Sequence, residues 1–395
     1  MKIEEMISNN SADCYGCEAC KNICPKKCIS MERDEEGFAY PKINHNVCVQ
    51  CGKCEKVCPS LNVHEKNLSA LPKIFVAVNP DEKIRRHSSS GGVFSALSEI
   101  ILNDGGIIFG AGFDENFHVR HMSAENFDEL EKLRGSKYVQ SQIGEVYRQV
   151  KKNLDAGREV LFSGTACQCA GLKNFLGGDS EKLLTVDVFC HGTPSPLLWE
   201  SYIAWRSRGH EISHVNFKSK RTGWLAPSFE ITFKDCPYFA RQLMADIFSQ
   251  EFLINIILRP SCYACKFKFP AVQSDLSIGD AWGIQNFAQE FFDNRGTSLA
   301  VAHTDKGLFI LNKTKLIGKQ VTLENILPGN PNFLIPPVEN PHRKNFFADL
   351  KEIKNPVAVM QKYFQQDPSQ AGAEIYPQNS KRVAEKYYAL FAGQK

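Results

Sequence analysis

One cysteine spacing occurs twice near the amino end of the chain. It is present in CYGCEACKNICP (residues 14–25) and again in CVQCGKCEKVCP (residues 48–59). In C-x2-C-x2-C-x3-C-P, three thiolates bind one 4Fe-4S cluster and the fourth cysteine binds the other cluster. We therefore predict two clusters. The first is bound by Cys14, Cys17, Cys20 and Cys58. The second is bound by Cys48, Cys51, Cys54 and Cys24.

Zinc is the alternative metal for paired cysteines. A four-ligand zinc site has no use for a third and a fourth cysteine at these spacings followed by proline, so iron-sulfur chemistry is favoured. Cys28 falls outside the pattern, and we interpret it as a bystander thiol. Residues 10–62 resemble the bacterial two-cluster ferredoxins.

Length and composition limit the remaining possibilities. A chain of 395 residues accommodates two or three domains. Its first residues, MKIEEMISNN, have no apolar signal-peptide core, so we expect reduced thiols in the cytoplasm. The longest apolar run, Phe252 to Leu258, is too short for a membrane span. A net charge of +3 with interspersed signs argues against a nucleic-acid partner.

A strand, a glycine-rich turn, a helix and a second strand follow a polar linker at residues 60–72. The turn is SSSGG (residues 88–92), between a strand at Ile74–Val78 and the buried strand IIFGAGF. Free N–H groups at the start of the helix could bind a cofactor pyrophosphate, or the turn could be a helix cap without a ligand. The sequence has no G-x-G-x-x-G motif after a predicted strand and no P-loop lysine, so a Rossmann or P-loop nucleotide site is disfavoured.

A second strand-turn-helix-strand unit brings two cysteines to strand ends. Cys167 follows the strand at 160–162, and Cys190 follows the strand at 183–189. An open α/β sheet binds ligands at the carboxyl ends of its strands. Cys262 and Cys265 supply only two of the four thiolates that a 4Fe-4S cluster needs. Cys167 and Cys190 would supply the other two and complete a third 4Fe-4S site. A redox-active dithiol is the competing interpretation.

The remaining features carry less chemistry. Residues around Thr222 and Gly223 read as a β-hairpin. Asp275 and Asp280 are expected to tie the loop that follows Cys265. Cys169 and Cys236 are interpreted as incidental thiols. Helical patterns after residue 345 indicate surface helices or a dimer contact.

Five motifs, in order, resemble one family. SSSGGVFSAL, LRGSKYVQS, VLFSGTACQCAGLKNFL, VDVFCHGTPSP and LRPSCYACKFK with SDLSIGDAWGI are similar to the beta subunits of coenzyme F420 hydrogenases and dehydrogenases. That family includes ferredoxin-linked chlorophyll-pathway reductases. The resemblance implies FAD, iron-sulfur clusters and electron exchange between them and a hydride-handling flavin.

The resemblance also implies roles for particular residues. Lys137 and His191 are the expected catalytic residues. The expected flavin-binding residues are Ser88, Ser89, Ser90, Gly91, Gly92, Lys137, Tyr138 and Thr165. The expected ligands of the third cluster are Cys167, Cys190, Cys262 and Cys265. Ala166 stands where the family usually has proline, which removes a fixed φ from that turn.

The predicted fold class is α/β (α+β overall), an open mixed-sheet catalytic domain behind a ferredoxin-like dicluster domain. The expected domains are 1–66, 72–345 and 346–395. The expected function is an iron-sulfur flavoprotein oxidoreductase whose partners are ferredoxin or another redox protein and a small-molecule hydride donor or acceptor. The alternative is a non-catalytic electron-relay subunit, and a homo-oligomer is possible in either case.

Overall fold

A computed structural model of the protein describes residues 2–62, 71–364, 382, 385 and 386. Most of the predicted linker and the helical pattern after Pro377 lie outside these residues. None of the described helices is long and apolar enough to cross a membrane.

The strands form three sheets. In chain order they are β1 (Ile29–Arg33), β2 (Ala39–Ile43), β3 (Lys73–Val78), β4 (Ile107–Phe113), β5 (Val119–Ala124), β6 (Val160–Gly164), β7 (Leu183–Val188), β8 (Ile212–Ser219), β9 (Ser228–Phe233), β10 (Phe239–Gln242), β11 (Leu276–Asp280), β12 (Ser298–Ala302) and β13 (Ile317–Val321).

The helices lie between and after these strands. They are α1 (Lys2–Asn9), α2 (Ala19–Ile23), α3 (Lys53–Lys56), α4 (Glu82–His87), α5 (Val93–Asn103), α6 (Phe127–Leu133), α7 (Val146–Asp155), α8 (Ala166–Leu176), α9 (Pro196–Ser207), α10 (Ile247–Leu253), α11 (Pro260–Tyr263), α12 (Asp305–Lys313), α13 (Leu323–Ile326), α14 (Arg343–Ile353) and α15 (Pro356–Tyr363).

The largest sheet has eight strands in the order β13-β3-β12-β11-β7-β6-β4-β5. Strands β4, β6, β7 and β11 are parallel neighbours, and the outer strands are antiparallel. Helix α5 covers this sheet through Val93, Leu97 and Ile101. The mixed open sheet confirms the predicted fold class.

Parallel strands bring the predicted chemistry to one sheet edge. Gly164 of β6 pairs with Asp187 of β7, and Val188 lies opposite Ile278 of β11. The antiparallel β12 and β3 meet the same edge, since Ser298 pairs with both Asp280 and Ala77. The glycine-rich turn and the segments after β6 and β7 therefore share this edge.

The amino-terminal segment packs directly on the sheet domain. Glu18, which is buried, accepts hydrogen bonds from the backbone N–H of Ile143 at 2.9 Å and of Gly144 at 3.2 Å. Arg148 donates to the carbonyl of Asn22 at 2.7 Å. These contacts fix the dicluster domain against α7.

A smaller antiparallel sheet, β10-β9-β8, forms a second core with α9 and α10. The predicted hairpin is present there, because β8 pairs with β9 across the loop that holds Thr222 and Gly223. Phe346, Val359 and Met360 of α14 and α15 are fully buried in this core. These two helices are therefore part of the core rather than a surface layer.

Asp275 joins three elements of the sheet domain. Its fully buried carboxylate accepts from the Thr185 N–H at 2.9 Å, the Thr185 hydroxyl at 2.7 Å and the Thr304 hydroxyl at 2.9 Å. It thereby ties β7 to β11 and to the start of α12, as expected for a loop-tying residue.

Replacing Asp275 with alanine should destabilise the fold. The substitution leaves buried donors without an acceptor, so we expect a loss of about 3 kcal/mol in the free energy of unfolding, measured by urea denaturation. Asp305→Ala, an exposed position in the first turn of α12, is the control and should change it by less than about 0.5 kcal/mol. Equal effects of the two substitutions would contradict this role.

Candidate functional site

The structure gathers the cysteines of the first predicted cluster. Burial raises the pKa of the Cys17 thiol well above its usual range, and the nearby charges of Cys58, Cys20 and Cys14 raise it further. Burial also raises the pKa of the Cys20 thiol, and the charges of Cys14 and Cys58 add to the shift. We call this group the first thiol site; a buried set of this kind needs a bound cation to hold its thiolates.

The second predicted set surrounds a separate cavity near the surface. Cys24, Cys48, Cys51 and Cys54 line it, and Cys51 is exposed. Cys28 also lines this cavity, and its Sγ lies 3.4 Å from the Sγ of Cys24. Five thiols therefore line this second thiol site, one more than the four predicted ligands.

Four cysteines from three segments of the chain line one cavity at the carboxyl edge of the large sheet. They are Cys167, Cys190, Cys262 and Cys265, and we call them the third thiol site. Burial raises the pKa of Cys167, with the charges of Cys265 and Cys190 adding to the shift. Burial, opposed by Lys268 but reinforced by Cys262, raises the pKa of Cys190 to about 12. This four-thiol arrangement fits a cluster better than an isolated dithiol.

Helix α8 connects the third site to the first. It begins beside Cys167, and Gly171 lies one turn later on the same face. A Cβ at Gly171 would lie 3.0 Å from the Cys17 Sγ, so glycine allows the first motif to approach the helix closely. One helical turn, about 5.4 Å along the axis, therefore separates the two contact points.

Tyr15 makes a second connection between the two sites. Its side chain lines the third cavity, and its ring packs edge-on against Phe267 at 4.8 Å between centroids. Its hydroxyl donates to the Ala264 carbonyl at 3.4 Å and accepts from the Lys266 N–H at 3.3 Å. The first motif is thus fastened to the loop that carries Cys262 and Cys265.

Polar groups surround the third site. The Thr193 N–H donates to the Cys262 Sγ at 3.4 Å, and the Thr165 hydroxyl lies 3.1 Å from the Cys167 Sγ. Lys268 donates from Nζ to the carbonyls of Cys190 at 2.5 Å and Asn332 at 2.8 Å. Thr165 also caps α8 together with Gln168, so the structure places it beside a thiol as well as at a helix start.

His191 lies in the third cavity and is held by Asn332. The Asn332 amide contacts the His191 Nδ1 at 2.8 Å. Burial and the charge of Lys268 lower the pKa of His191 to about 4, so the ring is neutral at pH 7. With Nδ1 accepting from the amide, the proton of the neutral ring is on Nε2.

The serine hydroxyls of the glycine-rich turn bond within the protein. Ser88 donates to the Ile84 carbonyl, Ser90 donates to the Thr297 carbonyl, and Ser89 accepts from the Ser136 N–H. They shape the turn and join it to the GSKY segment.

The glycine-rich turn leads into α5, whose first-turn residues Val93 and Ser95 are buried. Gly92, at φ +92°, is the N-cap and gives the helix no side-chain cap. Gly91 cannot carry a side chain, because a Cβ there would lie 2.3 Å from the Ala77 carbonyl oxygen. Arg134 donates to the Ser95 hydroxyl at 3.0 Å, next to this helix start. The Arg134 Nη1 pairs with the Glu131 carboxylate, so the first backbone N–H groups of α5 and the rest of the guanidinium are the donors that would suit a diphosphate.

Lys137 and Tyr138 are both engaged in packing. The Lys137 ammonium donates to the carbonyls of Lys132, Leu133 and Arg134 and so caps α6. Burial lowers the pKa of Lys137 to about 7, while these three carbonyls favour its charged form. The Tyr138 ring stacks on Phe252 at 4.8 Å.

Basic side chains meet between the glycine-rich turn and β8. Burial lowers the pKa of His214, with the charges of Lys137 and His87 contributing in the same direction. Lys220 donates to the carbonyls of Arg85, Ser90 and Arg295. Lys220 is thereby joined to the glycine-rich turn that precedes α5.

Arg259 is the largest contributor that sequence reasoning missed. Its side chain is 1% exposed and donates to the carbonyls of Cys14 at 2.8 Å and Ala39 at 3.1 Å, and to Gln140 Oε1 at 3.0 Å. It also lies over the Tyr40 ring at 4.3 Å. An arginine three residues before a C-x2-C pair carries no spacing signal, so only the fold reveals this role.

Comparison with known proteins identifies two regions of the chain. Residues 157–326 match the family described as the C terminus of the coenzyme F420 hydrogenase/dehydrogenase beta subunit. Residues 13–62 match the 4Fe-4S dicluster domain. Residues 157–326 thus belong to that beta subunit family, and residues 13–62 form a 4Fe-4S dicluster domain. An electron-transfer redox role follows.

Individual relatives agree with these matches. The chain is 25% identical to the F subunit of F420H2 dehydrogenase from Methanosarcina mazei, over 47% of the chain and 54% of that protein. It thus spans about half the length of this curated relative. It is 33% identical to the VorC subunit of ketoisovalerate oxidoreductase from Methanothermobacter marburgensis, over 15% of the chain and 77% of that protein.

A solved structure of the F420-reducing [NiFe] hydrogenase complex from Methanosarcina barkeri is also similar. The TM-score is 0.44 at 17% identity, with 76% of this chain and 93% of that chain covered.

Arg259→Met should loosen the dicluster domain from the sheet domain. The substitution leaves the carbonyls of Cys14 and Ala39 without their donor, so amide hydrogen exchange in residues 14–24 and 39–43 should accelerate at least about tenfold. Exchange in β6 and β7 should stay unchanged. Arg221→Met is the matched control, because Arg221 also lies over a tyrosine ring but has a half-exposed side chain. Exchange rates that are the same in both variants would contradict the role of Arg259.

Proposed function

We propose that the protein is an iron-sulfur flavoprotein oxidoreductase. It links three 4Fe-4S clusters, served by ferredoxin or another redox partner, to FAD and to hydride exchange with a deazaflavin coenzyme or another organic substrate. The observation that carries this proposal is the meeting of four thiols from three segments in one cavity, on the helix that Cys17 of the first thiol site approaches. A two-cluster electron carrier alone has no need of that third set.

The order of the thiol sites supports a continuous path. The charge of Cys54, in the second site, contributes to the raised pKa of Cys20 in the first site. The charge of Cys17, in the first site, likewise contributes to the raised pKa of Cys167 in the third site. The chain's own residues maintain this order: Glu18 and Arg259 fix the dicluster domain, and Tyr15 fastens the first site to the third cavity.

The donor set around α5 supports FAD as the remaining cofactor. The N–H groups after Gly92 and the guanidinium of Arg134 would hold the diphosphate, while Ser88 to Ser90 keep the turn in shape. A flavin, when bound, supplies the exchange between one-electron carriers and a hydride. Lys137 would place a positive charge beside this cofactor, and the packed ring of Tyr138 would bound its pocket.

His191 is proposed to act at the third site. Its neutral ring, fixed by Asn332, can donate a hydrogen bond from Nε2 but does not carry a mobile proton near pH 7. We therefore favour a positioning role over acid-base chemistry. The proposed domain limits are 1–66, 72–345 and 346–395, and the last limit falls inside α14 (Arg343–Ile353), whose Phe346 is buried in the core of the smaller sheet. Cysteines clustered at cluster-ligand spacings favour a reducing compartment such as the cytoplasm.

A relay subunit without a substrate is the second candidate. It is favoured by the engagement of Lys137 with three carbonyls, which gives this lysine a structural task without a flavin. The curated relatives described above are also named as subunits. Absence of flavin and of turnover in the isolated chain would favour this candidate.

Cys262→Ala tests the proposed path. In anaerobic wild-type protein, reduced deazaflavin coenzyme should bleach the flavin and then produce the electron paramagnetic resonance signals of reduced N-terminal clusters. The variant should still bleach, but those signals should fall at least about tenfold, because one ligand of the third cluster is lost. Cys236→Ala, outside all three sites, is the control. Undiminished signals in Cys262→Ala would contradict the path.

The face around the exposed Cys51 is the proposed docking surface for the protein partner. Lys26 and Lys53 line the second site there together with Val49, whose exposed fraction is 55%. Positive charge around an apolar contact suits an acidic electron carrier.

Lys26→Glu combined with Lys53→Glu should slow reduction by an acidic ferredoxin at least about tenfold at low ionic strength. The difference should shrink as salt is added, since screening weakens exposed charges. Reduction by dithionite should be unchanged. Lys315→Glu with Lys319→Glu alters the net charge equally at a distant edge, where the side chains are 85% and 50% exposed, and is the control. Equal slowing by both pairs would place docking elsewhere.

A further inference from the structure

The second thiol site contains one thiol more than a 4Fe-4S cluster binds. Cys28 is buried, lines the same cavity as Cys24, Cys48 and Cys54, and its Sγ is 3.4 Å from the Cys24 Sγ. The charges of Cys24 and Cys48 also act on it. Cys28 therefore faces the corner of the site that Cys24 occupies.

The backbone fixes this pair of thiols in place. Cys24 and Cys28 stand at the two ends of a tight turn, closed by a hydrogen bond from the Lys27 N–H to the Cys24 carbonyl at 3.2 Å. Cys28 then leads into β1, and its carbonyl accepts from the Asn44 N–H at 2.8 Å. Both sulfurs are thus held at the same corner by secondary structure rather than by a free loop.

The two halves of the dicluster domain differ at this position. Four residues after Cys24 the chain has Cys28, whereas four residues after Cys58 it has Asn62. The Asn62 amide donates to the carbonyls of Glu55 at 2.7 Å and Cys58 at 3.1 Å. One half therefore has a second thiol at the corner, and the other half has an amide that ties the backbone.

We propose that Cys28 is an alternative thiolate ligand for the iron corner that Cys24 binds. The inference rests on the proposed assignment of a second cluster to this site. In the exchange, one iron-sulfur bond to Cys24 breaks and one to Cys28 forms. Cys28 releases its thiol proton and Cys24 takes one up, so no electron is transferred. If the bond to Cys24 is lost, Cys28 therefore keeps that iron of the cluster bound to the protein.

Alanine substitutions in the full chain test this exchange. The variants are Cys24→Ala, Cys28→Ala, Cys24→Ala with Cys28→Ala, and Cys58→Ala as the matched corner of the other half. Each is purified anaerobically, iron and sulfide per chain are measured, and spectra of the reduced and oxidised clusters are recorded by electron paramagnetic resonance. Far-ultraviolet circular dichroism checks that each variant folds.

Both single variants of the pair should keep the wild-type iron content and the spectrum of an intact 4Fe-4S cluster. The double variant and Cys58→Ala should each lose between about one and about four irons, since a corner without a thiolate gives a three-iron cluster or none. Equal iron loss in Cys24→Ala and in the double variant would overturn the inference. A wild-type chain without a second N-terminal cluster would instead overturn the proposed assignment itself.

Discussion

The buried guanidinium of Arg259 is the interaction on which the arrangement of the sites depends. It donates to the backbone of the first cysteine motif, to the strand β2 and to Gln140 of the segment that follows GSKY. Its own backbone accepts from Cys262 and donates to Thr193, on either side of the third cavity. Breaking the hydrogen bonds of a buried charged group is costly in free energy, so this one residue keeps the thiol sites in a fixed order.

Close backbone approach is the second constraint. Gly171 lets the Cys17 loop lie against α8, and a side chain there would also meet the Tyr147 hydroxyl at 3.1 Å. The parallel strands β6 and β7 then bring Cys167 and Cys190 to one edge, where Cys262 and Cys265 join them. Burial raises the pKa values of Cys167, Cys190 and Cys265, so free thiolates are disfavoured there. A cluster bound there would offset that cost, because its irons stabilise the thiolate form.

Much of this organisation could be predicted from local patterns. The doubled cysteine spacing predicts the first two sites because cluster ligation requires that spacing, and alternating strands and helices predict the sheet whose edge holds Cys167 and Cys190. The hairpin around Thr222 and Gly223 follows from its turn residues in the same way. Each of these depends on residues close together in the chain.

Contacts between distant segments could not be predicted. Tyr15, Arg259 and Lys268 act on groups far away in sequence, and nothing in their own neighbourhood indicates those partners. The resemblance implied that the serines of the glycine-rich turn bind the flavin, yet their hydroxyls bond to backbone groups of the protein itself. Cys28 falls outside the cluster spacing, and the turn closed by the Lys27 N–H and the Cys24 carbonyl brings it to Cys24.

The most direct test of the account is the quantity of iron, sulfide and flavin in one anaerobically purified sample. Three thiol sites, each proposed to bind one 4Fe-4S cluster, and the donor set at α5 predict about twelve irons, about twelve sulfides and about one FAD per chain. About eight irons and no flavin would contradict the account, because the third thiol site would then be a cluster of structural thiols and the chain a relay subunit.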